Sequence, residues 1–205
     1  MQILKRFTIV LFITSLCSAA EAQTDAASQK AFSTSYANEY NKKYADAILA
    51  LNKLNEDTYE VNLRLGWLYY VNKDYTKSIS HYDKAIAQMP YAIEARLGVI
   101  KPLSVTESWD KVLAQYQEIL KVDPQNSTAN YWAGVIYYNK KKYDQASKLF
   151  ERVVNLYPFD YDATHMLAWA YLNLGRNNDA KVLFNKALLI RPSDPSALDG
   201  LTKIK

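Results

Sequence analysis

Apolar residues recur at alternating spacings of three and four in six stretches of the chain. This spacing places the apolar side chains on one face of an α-helix and leaves the opposite face to polar and charged residues. Short polar segments separate the stretches, so the pattern predicts amphipathic helices joined in pairs by turns. The predicted helices cover residues 61–71, 75–89, 129–139, 143–156, 163–174 and 178–190.

The pattern repeats every 34 residues. Prolines stand at this interval, at Pro90, Pro124, Pro158 and Pro192. Proline cannot donate the helical hydrogen bond and disfavours helical backbone in the preceding residue, so each proline is expected to end the second helix of a pair. The polar residues two positions later, Asn126, Asp160 and Asp194, are expected to cap the next helix by accepting from its free N–H groups.

Small and aromatic residues follow the same interval. Gly66, Gly134 and Ala168 recur in the first helix of a pair, and Ala146 and Ala180 recur in the second. Small residues on facing helices let the two helices of a hairpin approach closely. Aromatic residues fill the wedge between hairpins, and they stand at Tyr82, Tyr116, Phe150 and Phe184. Each hairpin therefore buries its apolar face only by stacking on its neighbours.

These recurring residues resemble the tetratricopeptide repeat family. The clearest unit carries Leu65, Gly66, Tyr69, Tyr82, Ala85 and Pro90. It recurs as Gly134, Tyr137, Ala146, Phe150 and Pro158, and again as Leu167, Ala168, Tyr171, Ala180, Phe184, Ala187 and Pro192. The family's usual early tryptophan is replaced by Asn62, Asn130 and Thr164. The resemblance implies an all-α fold, an α-solenoid of stacked antiparallel helix–turn–helix repeats.

The repeat array is expected to span residues 31–205. Three units fit the pattern well, at residues 59–92, 127–160 and 161–194. A degenerate hairpin precedes them at residues 31–58, a second degenerate unit lies at residues 93–126, and a closing helix covers residues 195–205. At 205 residues the chain has the length of one domain or one continuous array.

The unit at residues 93–126 departs most from the pattern. Pro102 lies where the first helix should continue, and Gly98 precedes it by one helical turn, so the pair predicts a kink or an early stop. Residues 104–107 are expected to form a capping box that opens the second helix, with Trp109 in the place of Tyr75 and Tyr143. Two interpretations stay open: a notch or hinge in a binding groove, or neutral drift in a tolerant repeat.

The N-terminus has the order of a secretory signal peptide. Lys5 and Arg6 precede an apolar stretch at residues 7–20, and a small-x-small cleavage site ends at Ala22. The sequence predicts a signal peptide at residues 1–22, a short flexible segment at residues 23–30, and export to a bacterial periplasm or outside the cell. Lipidation of Cys17 is the alternative, disfavoured because Thr14 and Leu16 do not fit a lipoprotein signal.

The amino-acid composition disfavours several classes of fold and function. The chain has only 5 glycines and 49% apolar residues, which disfavours β-sandwiches and glycine-rich phosphate loops. Without the predicted signal peptide, 23 basic residues face 20 acidic ones, a balance that does not suggest nucleic-acid binding. With two histidines and no cysteine after residue 22, a zinc site of several His or Cys ligands is not expected. We expect no enzyme activity and no cofactor.

Two groups of charged residues allow more than one interpretation. Asp160, Asp162 and His165 could meet one cation, but an N-cap with solvated first-turn charges explains them more simply. Basic residues fall in the turns within the repeats, at Lys42, Lys43, Lys73, Lys140, Lys141, Lys142 and Arg176. They either favour helix C-termini or form a basic edge for an acidic partner or a peripheral membrane contact.

In the family that the sequence resembles, the first helix of each unit lines a concave groove for peptides or partner helices. The corresponding groove positions here are Leu63, Trp67, Tyr70, Tyr131, Val135, Tyr138, His165, Trp169 and Leu172. The family's clamp for a C-terminal carboxylate needs Asn where Trp67, Val135 and Trp169 stand, so that binding mode is not expected. The resemblance implies a non-enzymatic scaffold that binds a peptide or protein. The alternative is a carbohydrate or small-ligand binding protein that stacks rings on Trp67, Tyr138 or Trp169.

Overall fold

The computed structural model describes residues 26–204, and its regular elements over that range are α-helices. They are α1 (residues 26–40), α2 (Tyr44–Asn52), α3 (Tyr59–Val71), α4 (Tyr75–Gln88), α5 (Ile93–Val105), α6 (Trp109–Val122), α7 (Ser127–Asn139), α8 (Tyr143–Leu156), α9 (Tyr161–Asn173), α10 (Asn177–Ile190) and α11 (Pro195–Thr202). The predicted signal peptide at residues 1–22, with Cys17, lies outside the described residues.

The helices follow the 34-residue interval of the sequence. The first helices α3, α5, α7 and α9 have 13 residues each. The second helices α4, α6, α8 and α10 have 14 residues each. α11 begins at Pro195, one interval after the start of α9. The predicted fold class, an all-α solenoid of antiparallel helix–turn–helix repeats, is confirmed.

Each turn inside a hairpin contains one residue in the left-handed backbone region. These residues are Lys42, Lys73, Glu107, Lys141 and Gly175. After α3, the Lys73 N–H donates to the Tyr70 carbonyl at 3.0 Å and the Asp74 N–H donates to the Tyr69 carbonyl at 2.9 Å. This pair of bonds is the Schellman motif, which satisfies the last carbonyls of the helix. The turn lysines thus stand at helix C-termini, where the helix dipole favours cations.

The predicted N-caps are confirmed. The side chains of Asn126, Asp160 and Asp194 each accept a hydrogen bond from the backbone N–H three residues later, at 3.0, 2.8 and 2.8 Å. Thr58 does the same for α3 at 3.4 Å. The equivalent position before α5 is Ala92, whose side chain has no oxygen to accept such a bond.

The contact between the two helices of a hairpin is made at a glycine. A Cβ atom added at Gly134 would lie 2.7 Å from the Phe150 ring, and one at Gly66 would lie 2.8 Å from the Tyr82 ring. The close approach predicted at these positions is therefore present, and the aromatic ring packs directly on the glycine. Ser78, the counterpart of Ala146, donates to the Gly66 carbonyl at 2.7 Å.

The chain divides into two compact units, one ending at Pro102 and the next beginning at Leu103. In the first unit, α2 and α3 enclose a core cluster that includes Leu51, Leu65 and Leu68. In the second unit, helices α8 to α11 enclose a larger cluster around Phe150 and Phe184, both fully buried. These cores fix the first helices of each unit, which carry the predicted groove positions.

The structure corrects the predictions for residues 93–107. α5 continues through Pro102 to Val105, so the predicted early stop is wrong. Pro102 lies near the end of the helix and its ring is buried, so the packing of the ring offsets the hydrogen bond that proline cannot donate. The predicted capping box is also wrong, because Ser104 is still in α5 and Glu107 occupies the left-handed turn. α6 begins at Trp109, in the place of Tyr75 and Tyr143 as predicted.

The predicted flexible segment at residues 23–30 is wrong for residues 26–30, while residues 23–25 lie outside the described residues. Residues 26–30 belong to α1. Ala26 and Ala27 have the highest helix propensity of any residue, and Ser28 donates to the Glu56 carboxylate at 3.0 Å. Local propensity and this long-range bond extend the helix beyond the expected start of the array.

Candidate functional site

The nine predicted groove positions lie on three first helices, and every one of them is half-buried. Leu63, Trp67 and Tyr70 lie on α3 in the first unit. The second unit carries the other six, with Tyr131, Val135 and Tyr138 on α7 and His165, Trp169 and Leu172 on α9. Spacings of three and four residues put each triplet on one face of its helix.

In the first unit this face borders an open cavity of about 520 Å³. The cavity is walled by side chains of α1, α3 and α5, including Leu63 and Trp67. Tyr70 packs beside Trp67, with the two ring centroids 5.7 Å apart. Leu97 and Gly98 of α5 also border the cavity. The volume is in the range of pockets that hold a small ligand or a few side chains of a peptide.

A partly buried ion pair orients the tryptophan in this cavity. Glu39 of α1 forms a salt bridge with Arg64, and its other carboxylate oxygen accepts from Trp67 Nε1 at 2.5 Å. The Arg64 guanidinium lies 3.9 Å from the centroid of the Tyr36 ring, and the Lys101 Nζ lies 5.9 Å from that of Trp67. Sequence reasoning missed Tyr36, Glu39 and Arg64, because α1 precedes the clear repeats and its register against α3 is a tertiary property.

In the second unit, hydrogen bonds and ring contacts hold the half-buried Trp169 side chain in place. Its Nε1 donates to His165 Nε2 at 3.1 Å and to Ser196 Oγ of α11 at 3.2 Å. The Trp169 ring meets the buried Phe184 ring edge-on at a centroid distance of 5.2 Å, and the Lys203 Nζ lies 5.1 Å from the Trp169 centroid. Trp169 therefore serves the packing of α9 on α10 and α11.

His165 lies half-buried on α9. Burial lowers its pKa, against the opposite effect of the Asp194 and Asp162 carboxylates, and Arg191 lowers it further. Its ring stacks on Tyr161 with centroids 5.3 Å apart. Tyr138 accepts from Asn173 Nδ2 at 3.2 Å and packs against Tyr143. Burial raises the pKa of the Tyr138 phenol. The six positions of this unit thus present mostly aromatic side chains.

A second cavity, of about 300 Å³, lies at the start of α7 in the same unit. Tyr131 borders it together with Trp132, Tyr157, Asp160 and Asp162. Trp132 and Tyr157 were not among the predicted site residues. The exposure of both rings becomes evident only in the folded chain. Trp132, for example, is next to the groove position Tyr131 in sequence but is more exposed to solvent.

Metal sites and membrane-spanning helices were also sought in the part of the chain that the structure describes. Residues 26–204 contain no group of three or more His, Cys, Asp or Glu side chains placed to hold a metal ion. Asp160 instead caps α9. None of the described helices combines the length and the apolar character needed to cross a bilayer.

The repeat geometry agrees with the comparison to known families. One tetratricopeptide repeat profile matches residues 36–93 and 108–161, and another matches residues 141–204. The chain belongs to the tetratricopeptide repeat family. Proteins of this family are typically non-catalytic scaffolds, and membership supports a role in protein–protein interaction.

Similar proteins are larger and diverse. Anaphase-promoting complex subunit 3 of Schizosaccharomyces pombe is 28% identical over 110 residues, which is 54% of this chain and 16% of that protein. The general transcriptional corepressor ssn6 of the same yeast is 32% identical over 80 residues, which is 39% of this chain and 7% of the corepressor. The chain thus spans less than a fifth of the length of either relative.

Solved structures with the same fold are closer in size. MamA has a TM-score of 0.69 at 18% identity, covering 80% of this chain and 91% of that one. A tetratricopeptide repeat protein from Parabacteroides merdae has a TM-score of 0.72 at 17% identity, and the match covers 87% of this chain and 72% of that one. YrrB, described as having an unusual peptide-binding site, has a TM-score of 0.70 at 17% identity, and the match covers 91% of this chain and 97% of that one. At these identities the likeness establishes the fold.

Proposed function

We propose that this chain is a non-enzymatic interaction module that binds an extended segment of a partner protein on the aromatic face of its first helices. The observation that carries the proposal is the cavity of about 520 Å³ in the first unit, bordered by the groove positions Leu63 and Trp67. YrrB, which shares the fold, is described as a peptide-binding protein.

The cavity is prepared for binding before any partner arrives. Trp67 is held by Glu39, and Glu39 is held in turn by Arg64, so the indole does not need to be ordered on binding. An apolar side chain that enters would be desolvated against Leu63, Leu97 and the Trp67 ring. Aromatic anchors in such positions often contribute about 2 kcal/mol or more each to binding.

A carbohydrate or small ligand is the second candidate, since the half-buried Trp67 and the exposed Glu60 and Glu94 line the same cavity. Aromatic faces and carboxylates together suit sugar rings and their hydroxyl groups. This candidate predicts that the chain binds oligosaccharides on a glycan array, and that Trp67→Ala removes that binding.

The test is a pull-down from envelope extract with the wild-type chain, Trp67→Ala and Trp109→Ala. Trp109 is 49% exposed in the second unit and serves as the control. We expect the wild-type and Trp109→Ala chains to recover the same partner proteins in similar amounts. Trp67→Ala should recover about tenfold less of each partner, as measured by quantitative mass spectrometry. Equal recovery of the partner proteins by Trp67→Ala contradicts a groove on this face.

We also propose that the chain is exported to the periplasm or the cell exterior, on the basis of the basic, apolar and small-residue segments at residues 1–22. The intact mass of protein recovered from the producing cells should match a chain that begins at Gln23. A mass that retains residues 1–22, or a lipid adduct on Cys17, would overturn this proposal.

A further inference from the structure

The cavity at the start of α7 is framed by exposed aromatic rings. Trp132 on α7 is 48% exposed and Tyr157, in the turn after α8, is 54% exposed. Phe159, two residues further along the same turn, is 68% exposed but does not line the cavity. Large apolar groups grouped in this way on a soluble surface often mark an interaction site. The half-buried Tyr131 completes the aromatic lining.

The polar lining of this cavity is acidic. Asp160 and Asp162 border it together with the hydroxyl groups of Ser127 and Thr128, and within the described chain no Lys, Arg or His lines it. One oxygen of Asp160 caps α9 by accepting from the Ala163 N–H. Burial raises the pKa of the Tyr131 phenol, and the negative charges of Asp162 and Asp160 raise it further. Both carboxylates therefore act on the interior of the cavity.

The neighbouring repeat shows what this combination of groups attracts. Arg191 holds the position in its repeat that Tyr157 holds in the one before. Its guanidinium carbon lies 3.7 Å from the centroid of the Tyr161 ring, and its NH2 lies 3.7 Å from Asp162 Oδ1. The chain thus already places an arginine between an aromatic ring and one of the two carboxylates of the cavity. Asp162 stays 59% exposed beside this contact.

We propose that the cavity binds an arginine side chain of a partner protein or peptide, an inference that rests on the proposed interaction function. The guanidinium would stack on the Trp132 or Tyr157 ring and donate to Asp162 and to the Asp160 carboxylate. A planar guanidinium can do both at once, whereas a lysine ammonium has no face to stack. The equivalent positions in the first unit, Arg64 and Met89, could not form such a site.

The experiment selects random dodecapeptides displayed on phage against the purified chain. We expect arginine to be enriched in the selected peptides. In fluorescence titrations, replacing that arginine by citrulline, which keeps the shape and removes the charge, should weaken binding about tenfold or more. Trp132→Ala should weaken it equally. Trp109→Ala is the matched control, because Trp109 is 49% exposed and Trp132 is 48% exposed, and this variant should bind the peptide at full strength.

Charge variants separate the acidic wall from the rings. Asp162→Asn should weaken binding of the arginine peptide about threefold, while Asp144→Asn, an exposed carboxylate outside the cavity, should leave it unchanged. Thermal melting of each variant checks the fold. Should Trp132→Ala melt several degrees lower, Tyr157→Ala takes its place, because the Tyr157 ring is more exposed and lies outside the helices.

The outcomes distinguish this inference from the proposed function. Selected peptides without arginine enrichment, or arginine peptides that bind Trp132→Ala at full strength, overturn the arginine site and leave an interaction module with another recognition mode. Failure to select any peptide contradicts the peptide-binding function and the arginine site with it. Oligosaccharide binding that depends on Trp132 assigns the cavity to sugars and overturns the proposal.

Discussion

Trp67 and Trp169 occupy the same position of their repeats, yet their surroundings differ. Trp67 lies at an open cavity in the first unit and is oriented by Glu39. Trp169 in the second unit packs against the buried Phe184 ring and donates to Ser196 of the closing helix. In both cases a lysine one interval later, Lys101 or Lys203, lies within 6 Å of the indole. The same register position thus serves a candidate binding site in one unit and the core in the other.

The position of a residue in the repeat therefore specifies the direction of its side chain but not the residues that the side chain contacts. Both tryptophans project from the same face of a first helix. What each ring contacts depends on the next helix over, which is α5 in one unit and the short α11 in the other.

Trp169→Ala should destabilise the chain by about 3 kcal/mol, since it removes a ring packed on Phe184 and leaves the half-buried His165 and Ser196 without their indole partner. Trp67→Ala should cost about half as much, because part of its ring faces the cavity. Urea denaturation of both variants measures the difference. If Trp67→Ala is the more destabilising of the two, the distinction between groove and core is wrong.

Gly134→Leu and Gly66→Leu should each cost about 1–3 kcal/mol or more, since both glycines lie under an aromatic ring of the second helix. Similar costs in the two units would show that they share this inner packing although their outer faces differ. Lys141→Ala, in an exposed turn, is the control and should change the free energy of unfolding by less than about 0.5 kcal/mol. Equal urea midpoints for Gly134→Leu and Lys141→Ala would refute the register.

Exchanging caps between the units should change stability in opposite directions. Ala92→Asn should add the N-cap that α5 lacks and stabilise the chain by about 1 kcal/mol, while Asn126→Ala should remove the cap of α7 at a similar cost. Thermal and urea midpoints provide the measurement. A destabilising Ala92→Asn would mean that the start of α5 differs from those of the other first helices.

The two histidines should make the chain less stable in mild acid. Burial lowers the pKa of both His81 and His165 below 6.5, so the unfolded chain binds more protons as the pH falls through 6.5 towards the folded pKa. Stability is then full above pH 6.5 and declines below it. At His81, Lys84 and Lys77 add to the effect of burial and Asp57 opposes it; at His165, Asp194 and Asp162 oppose it and Arg191 adds to it. His81→Gln and His165→Gln should each remove part of the decline, in urea midpoints compared between about pH 7 and pH 5.

The helix positions followed from local signals that repeat along the chain. Prolines, capping residues and the three-and-four spacing act within a few residues of themselves, so the caps at Asn126, Asp160 and Asp194 were predictable. The same local reasoning failed at Pro102 and at the capping box of residues 104–107. There the burial of the proline ring and the packing of α5 outweighed the local preference.

The candidate site was less predictable than the fold. The nine groove positions could be named from register alone, and all of them are half-buried. Their roles as binding residues stay a prediction. Glu39, Arg64 and Tyr36 were not named, because the contact of α1 with α3 joins residues about 25 positions apart and follows no repeat. Trp132 and Tyr157 were missed because exposure is a property of the folded surface.

By itself, the sequence determined the helical class, the 34-residue period, the caps and the face of each first helix, because these depend on interactions within one helical turn or one repeat. Tertiary structure alone decided which tryptophan borders a cavity, which one packs against a closing helix, and where aromatic rings and carboxylates meet. Those outcomes depend on side chains one repeat apart or more, and small differences at the facing positions select between an open cavity and a packed core.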